Sequence, residues 1–461
     1  MLLPLAPPSR QDLIHALAHA GSTWVECATS DLGSVARGKQ VHADDFVSAA
    51  GCRLPSVVWG LTVSAGESAE VFGPLLPKTY DDVHLVPDLT TLAKRPGRAQ
   101  ECTVICEPTG RLRHAGGEFD ASALSPRAAL RRVIAGYERA GMAALVAPEL
   151  ELFLLSRSAQ APGLEAALPS PHAPVQERAC EAYSLERLSH FEPYFDELRT
   201  QCQALEIPWS GHAHESALSQ FEVNFHPGEP LSQADAVFRF KRLAREVAAR
   251  HGFLACFAAK PFLDQPGVGT HWHVSLQRRD RRGWPHVFAT PEGEDSAALL
   301  HFIGGLQCEA AAAMALFAPY DMSFDRIRLS DASPSHASWG HDARSLAFRI
   351  PASGASSRRV ENRLPGGDAN PYLTLAATLS LGLRGLTQAQ PPQSGAAESL
   401  ALPRSLPEAL DALTRSQALR ELLGDPLWAL FLALKRHEHA ERSATANPRQ
   451  EWDLRHLIEL A

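Results

Sequence analysis

Apolar and polar positions follow two different patterns along the chain. Residues 9–20 carry apolar side chains at helical spacing, with Ser9 placed to cap the first turn, so they predict a helix. From Thr23 to about Cys106 the apolar residues come in short runs broken by Gly, Pro and Asp, which is typical of β-strands. The predicted strands lie within TWVECATSD (23–31), VARGKQVHA (35–43), SVVWGLTV (56–63), VHLVPDL (83–89) and ECTVICE (101–107).

The rest of the chain predicts a larger region that mixes helices and strands. A linker is expected over 107–125, followed by an amphipathic helix from Pro126 and a strand over AALVAPELELFLL (143–155). Further helices are predicted over 231–251, 296–317 and most of the tail from 403; further strands over 219–226, 253–260, 269–277 and 345–350; exposed loops over 157–177 and 386–402.

Composition and charge exclude several classes of protein. A chain of 461 residues with 45% apolar residues can bury a sizeable core, which excludes global disorder. The 52 acidic and 44 basic residues give a net charge of −8, which argues against nucleic-acid and anionic-membrane partners. No run of about 18 apolar residues predicts a transmembrane helix, and the N-terminus lacks the basic segment of a signal peptide. The eight scattered cysteines form no CxxC pair, so we expect free thiols and a cytoplasmic location.

Acidic side chains interrupt an apolar strand in the segment Ala147–Leu154. Glu149 and Glu151 are two residues apart, so a strand places both on one face. Two like charges on an apolar background are costly unless a cation neutralises them, which indicates a metal site. The alternative is ordinary strand alternation, with both glutamates on a solvated face.

Three later segments repeat this combination of charged and apolar positions. They are Glu215 and Glu222 in HESALSQFE, then His271, His273 and Ser275 in THWHVSL, then Arg359, Glu361 and Arg363 in RRVENR. A structural histidine pair and a surface ladder of salt bridges are the alternatives. Five glutamates and a histidine suit Mg²⁺ or Mn²⁺ better than zinc, and arginines among the acids indicate a bound polyanion. The residues alone therefore indicate a Mg²⁺- or Mn²⁺-dependent enzyme that uses ATP.

Five long motifs, in this order along the chain, resemble the glutamine synthetase family. They are PELELF (148–153), HESALSQFEVNF (214–225), KPFLDQPGVGTHWHVSL (260–276), RSLAFRIP (344–351) and SRRVENRLPGGDANPYL (357–373). The stretches SDLGSVARGK and LVPDLTTL extend the similarity into the smaller region. The resemblance implies an α+β fold, with a small β-grasp-like domain over 10–110 followed by a large catalytic domain over 118–461. It also implies a homo-oligomer of two stacked hexameric rings, with active sites between neighbouring subunits.

The resemblance implies roles for individual residues. Glu151, Glu215 and Glu222 match the ligands of a first metal ion, and Glu149, His271 and Glu361 match those of a second. Arg326, Arg344 and Arg363 match arginines around the glutamate substrate, and Gly267 matches a glutamate-loop position. Arg349 and Arg359 match arginines on the ATP phosphates, and His273 and Ser275 match nucleotide contacts. Arg344, Arg326 and Arg349 are the arginines expected to act in catalysis.

Departures from the family pattern indicate an amine other than ammonia. Ammonia-using members place a glutamate two residues before a proline after the Arg326 position, where this chain has Ala332 with Asp331 beside it. The aspartate of their small domain is also missing from the segment 59–63. A site for ammonium needs such acids for capture and deprotonation.

The predicted function is therefore the ATP-dependent ligation of the glutamate γ-carboxyl group to an amine, through a γ-glutamyl phosphate. The segment ENRLPGGDANPYL resembles the gamma-glutamylpolyamine synthetase branch, so putrescine, another polyamine or another primary amine is expected. Glutamine synthesis from ammonia and a non-catalytic role in assembly or regulation are the alternatives. Two further departures concern the substrate loops: Leu218-Ser219 replaces the usual Pro-Gly, and Pro266 stands where ammonia-using members have asparagine.

Overall fold

The computed structural model describes residues 5–157, 164–166, 177, 179–278, 285–329, 333–394 and 400–460, and it has an α+β architecture. Two mixed β-sheets follow one another along the chain, and helices pack against both. The loop predicted over 157–177 lies outside the described residues, apart from 164–166 and 177.

The N-terminal region is a helix followed by a β-grasp-like sheet. Helix α1 (Arg10–Ala20) is confirmed, and the Ser9 hydroxyl accepts a hydrogen bond from the Asp12 amide at 3.2 Å, as a capping residue does. The strands of the sheet and the helix between them are β1 (Trp24–Ser30), β2 (Ala36–His42), α2 (Ala43–Ala49), β3 (Cys52–Pro55), β4 (Asp82–Pro87), β5 (Ala93–Lys94) and β6 (Glu101–Thr109). Their order is β2-β1-β6-β4-β3, with β1 and β6 parallel at the centre and β5 on β6. Antiparallel hairpins flank that central pair.

Two predictions in this region are wrong. The strand predicted over 56–63 is a short 3₁₀ helix (Ser56–Trp59), because Trp59 turns into the core, where it is 1% exposed, and the chain then bends at Gly60. The linker predicted over 107–125 is largely structured: β6 continues to Thr109, and a hairpin of β7 (Arg111–His114) and β8 (Gly117–Asp120) follows. Buried Leu112 anchors that hairpin to the core.

The second sheet is larger and is centred on one long strand. Its members are β9 (Met142–Arg157), β10 (Leu164–Ala166), β11 (Trp209–His214), β12 (Gln220–Phe225), β13 (Leu254–Cys256), β14 (Thr270–Arg278), β15 (Trp339–His341), β16 (Phe348–Ile350) and β17 (Val360–Asn362). Their order is β11-β12-β9-β14-β17-β16-β15, and β10 and β13 also pair with β9. The strands predicted over 253–260 and 345–350 are therefore only three residues long, because the chain leaves the sheet after Cys256 and turns before Phe348.

Helices cover this second sheet and form the C-terminal region; those from Pro126, over 231–251 and 296–317 and in the tail from 403 were predicted, and those over 185–204, 321–328 and 371–388 were not. They are α3 (Pro126–Arg139), α4 (Leu185–His190), α5 (Glu192–Ala204), α6 (Pro230–Arg250), α7 (Ala297–Phe317), α8 (Asp321–Arg328), α9 (Pro371–Gln388), α10 (Leu406–Arg415), α11 (Gln417–Leu423), α12 (Asp425–Ser443) and α13 (Leu454–His456). The loop predicted from 386 begins only after α9, at Ala389, and its residues 395–399 lie outside the described part. Among the described helices, α7 is long and apolar enough to span a membrane. However, 72% of its apolar 18-residue stretch is buried inside the protein.

A buried arginine joins the two regions. Arg127 at the start of α3 donates hydrogen bonds to Asp88 and Glu107 of the N-terminal region, each at 2.7 Å, and to Asp235 of α6 at 2.9 Å. The buried guanidinium group is stable because its hydrogen bonds to several carboxylates replace those that it would make to water. The division into domains at 10–110 and 118–461 remains a prediction.

Candidate active site

The candidate site lies on one face of the second sheet, where β9 runs between β12 and β14. The register places Glu151 opposite Glu222 and Glu149 opposite both Asn224 and His271. Opposed residues of neighbouring strands project to the same side of a sheet, so the alternation seen in the sequence brings these acids together. The face is half-buried rather than solvated, since the side chains of Glu149 and Glu151 are 14% and 15% exposed.

Three side chains offer a preformed set of metal ligands. Glu149, His273 and Glu361 each present one ligand atom, and these atoms lie within 4.8 Å of one another. His271, the histidine expected as a ligand, also contacts this set: its Nδ1 lies 2.8 Å from Glu149 Oε1 and 3.5 Å from Glu361 Oε1. Both histidines of the THWHVSL motif therefore face the two carboxylates.

The acids on the Glu151 side repel one another. Burial, together with the charges of Glu149, Glu151 and Glu215, raises the pKa of Glu222 to about 9. Burial and the charge of Glu151 also raise the pKa of Glu215. A carboxyl group in this state gains most from a cation that replaces its proton.

Glu149 and Glu361 behave differently because histidine and arginine side chains already surround them. Burial favours the neutral form of Glu149, but hydrogen bonds from His271 and His273 hold its pKa well below the usual value. Glu361 is fully buried and accepts hydrogen bonds from Arg349, at 2.6 Å, and from Arg363. Despite its burial, these histidines and Arg363 keep the pKa of Glu361 low. A surface ladder of salt bridges is therefore excluded at this position.

Two adjoining cavities open beside the acids. The larger, about 600 Å³, is lined by Glu149 and by every residue predicted to contact the nucleotide: His273, Ser275, Arg349 and Arg359. The smaller, about 320 Å³, is lined by predicted ligands of both metal ions and by every residue predicted to contact glutamate: Glu151, Glu215, Glu222, His271, Gly267, Arg326, Arg344 and Arg363. Arg344 lines both cavities.

The backbone holds the arginines of the smaller cavity in place. Buried Arg326 donates to the main-chain oxygens of Leu364 and Arg363, at 3.0 and 3.1 Å. Arg363 in turn donates from Nε to the main-chain oxygen of Arg344 at 3.0 Å. On the other side, Arg359 donates to the Nδ1 of His273 at 3.2 Å. The side chains of Arg326, Arg363 and Arg359 are thus held by contacts within the protein, while the roles of the arginines in binding and catalysis remain predictions.

Sequence reasoning missed several residues of the site. Asn224 donates to Glu222 at 3.0 Å and to Glu149 at 3.4 Å, and its place two residues after Glu222 on a strand was a usable signal. Tyr183, which lines the smaller cavity, and His286, which lies 3.2 Å from the Ser275 hydroxyl in the larger one, carry no sequence signal. Asp331 and Ala332, the positions of the missing glutamate, lie outside the described residues.

Comparison with known proteins agrees with this geometry. The family described as "Glutamine synthetase, catalytic domain" matches residues 123–455. The chain is 31% identical to gamma-glutamylputrescine synthetase PuuA of Escherichia coli K12 over 428 residues, which cover 91% of this chain and 89% of that protein. It is 30% identical to glutamate–isopropylamine ligase of a Pseudomonas species over 446 residues, covering 93% and 94%.

Solved structures show the same fold. A structure described as "Apo GmaS without ligand" aligns with a TM-score of 0.79 at 27% identity, covering 96% of this chain and 99% of that one. The α+β architecture predicted from the motifs is thereby confirmed. The chain therefore belongs to the glutamine synthetase family, whose members are ATP-dependent glutamate–amine ligases.

Proposed function

We propose that this protein joins the γ-carboxyl group of glutamate to a primary amine, such as putrescine, another polyamine or a small monoamine. The observation that carries the proposal is the pair of cavities, one lined by the nucleotide set and one by the glutamate set, with the acids between them. Phosphoryl transfer needs this arrangement, because donor and acceptor must meet where cations neutralise the transferring oxygens. The two relatives named for putrescine and isopropylamine support an amine substrate.

The chain's own residues bind and orient the two substrates. ATP occupies the larger cavity, with its phosphates toward Arg349 and Arg359 and its base or ribose near His273 and Ser275. Glutamate occupies the smaller cavity, where Arg326 and Arg363 face its carboxylates. Arg344, which reaches both cavities, lies where the γ-carboxylate meets the γ-phosphate.

The reaction proceeds in two steps. A γ-carboxylate oxygen of glutamate forms a bond to the γ-phosphorus of ATP, the bridging P–O bond breaks, and ADP leaves. The amine nitrogen then adds to the acyl carbon of the γ-glutamyl phosphate, the C–O bond to phosphate breaks, and a proton leaves the nitrogen. The products are a γ-glutamyl amide, phosphate and ADP.

The donor set fits divalent metal ions of the oxygen-preferring kind. Glu151, Glu215 and Glu222 would hold one ion, and Glu149 and Glu361 with His271 or His273 would hold a second. The raised pKa values of Glu215 and Glu222 support this, since carboxyl groups crowded together are neutralised by a cation in place of protons. Bound Mg²⁺ or Mn²⁺ supplies charge neutralisation for the phosphoryl oxygens.

A phosphate-release screen tests the proposal. The purified protein is incubated with ATP, glutamate and Mg²⁺ or Mn²⁺, and with ammonium or one of about twenty amines. We expect phosphate release that requires both glutamate and an amine, with a γ-glutamyl amide detected by mass spectrometry and little glutamine formed from ammonium. Glutamine as the main product would favour the ammonia-using alternative, and no release with any amine would favour the non-catalytic one. Arg344→Ala is the negative control.

The proposed setting of the enzyme is the cytoplasm, where it forms a homo-oligomer of two stacked hexameric rings. The resemblance to the family supports the assembly, and the predicted free cysteines support the compartment. Sedimentation analysis tests the oligomer: a species of about twelve subunits agrees with the proposal, and a monomer contradicts it.

A further inference from the structure

A buried carboxylate and a buried imidazole lie directly behind the smaller cavity. Glu177 is 3% exposed and His214 is 1% exposed. The Nε2 atom of His214 lies 3.1 Å from Glu177 Oε1, and its Nδ1 atom lies 2.7 Å from the main-chain oxygen of Glu215. Both ring nitrogens of His214 therefore lie within hydrogen-bonding distance of oxygen atoms, one on the Glu177 side chain and one on the Glu215 backbone.

The same carboxylate holds a strained turn. Ser219, the residue before β12, has a φ of 54°, in the left-handed region that glycine favours and other residues avoid. This is the position at which the chain has serine in place of the usual glycine. Glu177 Oε2 accepts a hydrogen bond from the Ser219 amide at 2.7 Å, which fixes the turn that joins β11 to β12.

The pair also anchors the mouth of the cavity. The main-chain oxygen of His214 accepts a hydrogen bond from the Tyr183 amide at 2.8 Å. Tyr183 itself has a φ of 59°, so its backbone also needs an external contact to stay in place. Glu215, which follows His214, and Tyr183 both line the smaller cavity. One buried pair thus contacts the backbone of both residues.

We propose that Glu177 is a positioning residue for this site: through His214 and the Ser219 amide it sets where the Glu215 carboxylate and Tyr183 lie in the smaller cavity. The role of Glu215 as a metal ligand rests on the proposed function, while the contacts that position it do not. Glu177 lines neither substrate cavity, so its effect passes through His214 and through the turn at Ser219.

The test compares two conservative variants. Glu177→Gln keeps the size of the side chain, but its amide group must face either the His214 N–H or the Ser219 N–H, so one hydrogen bond becomes a donor–donor contact. Glu197→Gln is the control, because Glu197 of α5 also contacts a histidine, with its Oε2 2.8 Å from Nε2 of His251 after α6, in a partly exposed pair that lines neither cavity. The Mn²⁺ concentration for half-maximal activity, the KM for glutamate, kcat and the Mn²⁺-induced shift in melting temperature are measured for each.

We expect Glu177→Gln to raise the half-maximal Mn²⁺ concentration and the KM for glutamate at least fivefold, and to change kcat at saturation less than threefold. We expect Glu197→Gln to change none of these more than twofold. A loss of kcat with unchanged Mn²⁺ dependence would overturn the proposal, and so would wild-type values in Glu177→Gln. If wild type shows no ligase activity, a Mn²⁺-induced melting shift that is smaller in Glu177→Gln still supports positioning while the proposed function fails, and an equal shift overturns both.

A second variant tests the proposal if Glu177→Gln does not fold. His214→Gln removes the bond to the Glu215 carbonyl but leaves the Ser219 amide on Glu177, and we expect it to shift the Mn²⁺ dependence in the same direction. If both Glu177→Gln and His214→Gln fail to fold while Glu197→Gln folds, the pair is required for the fold and the positioning role is overturned.

Discussion

Glu151 and Glu222 are direct cross-strand partners on β9 and β12, and both line the smaller cavity. Like charges opposite one another destabilise an antiparallel pair, and burial makes the repulsion larger. Burial, then the charge of Glu149 and after it that of its cross-strand partner Glu151, raises the pKa of Glu222. The sheet therefore stores an unfavourable interaction that a bound cation relieves, which is how a binding site differs from a structural core.

We expect Glu222→Gln to stabilise the metal-free protein and to abolish most activity. Because its raised pKa makes Glu222 take up a proton when the chain folds at neutral pH, and the amide needs none, the melting temperature in EDTA should rise by about 2 °C. The Mn²⁺-induced rise should shrink to less than about half of the wild-type shift, because a ligand is lost. Thermal melts with and without Mn²⁺ measure both effects. Exposed Glu138→Gln is the control, and an undiminished Mn²⁺ shift would contradict the assignment of Glu222 to the first metal.

Glu361→Ala should act in the opposite direction on stability. It leaves Arg349 and Arg363 without the carboxylate that both contact. The free energy of unfolding in EDTA should therefore fall by roughly 3 kcal/mol. Activity should also be lost, since the same carboxylate belongs to the preformed ligand set. Urea denaturation of this variant beside Glu222→Gln gives the comparison. Equal stabilities of the two variants would show that Glu361 is not the counter-ion of both arginines.

Gly267→Ala should raise the KM for glutamate about tenfold and leave the KM for ATP within about twofold. A Cβ at this position would lie 2.7 Å from Cγ of Arg326 and 2.8 Å from the main-chain oxygen of Ala259, so Arg326 has to move. Gly267 lines the smaller cavity and not the larger one. Steady-state kinetics with each substrate varied in turn measure the effect. In Gly211→Ala, where an added Cβ meets nothing within 4 Å, both KM values should stay at the wild-type level.

Lys241→Met should change the pH dependence of stability. Burial, followed by the charge of Arg245, lowers the pKa of Lys241 to about 7. Between pH 7 and the ordinary lysine pKa, the unfolded chain binds a proton that the folded chain does not, so this residue makes wild-type stability rise with pH. The variant lacks that rise. The difference in the free energy of unfolding between variant and wild type should therefore favour the variant more at pH 7 than at pH 9.5, by on the order of a few kcal/mol.

Urea denaturation at the two pH values measures the Lys241 effect. Lys39→Met, at an exposed position, is the control. Its free energy of unfolding should differ from that of wild type by the same small amount at both pH values. A difference between Lys241→Met and wild type that does not change with pH would show that Lys241 keeps its proton in the folded protein.

The alternation of residues along single strands predicted which side chains carry the chemistry of the site. It did not predict which residues hold those side chains in place. Strand geometry alone places Glu149 with Glu151, His271 with His273, and Glu361 with Arg363, so the sequence was sufficient to form these groups. How the groups meet, and the contact of Arg349 with Glu361, depends on which strands pair and in what register, which cannot be read from any segment separately. Glu177 lies 37 residues before its partner His214, in a segment without periodicity, so only the folded chain brings out its role.

The two errors in the N-terminal region have a similar origin. An apolar run such as SVVWGLTV fits a buried strand and a buried turn equally well, and the side chain of Trp59 decides in favour of the turn. The hairpin of β7 and β8 was read as a linker because its strands are only four residues long and mostly exposed, with Leu112 as the buried anchor. Short elements of this kind are fixed by tertiary packing, and their own composition is a weak guide.

Arg344 lines both cavities, so under the proposed function a single guanidinium group belongs to the surroundings of both ATP and glutamate. Occupation of one cavity by a polyanion would draw on the same charge that the other cavity presents. The two binding equilibria would then be thermodynamically linked, and linkage is reciprocal: the factor by which ATP changes the affinity for glutamate equals the factor by which glutamate changes the affinity for ATP. Such an enzyme would respond jointly to the levels of nucleotide and amino acid, through one exposed side chain.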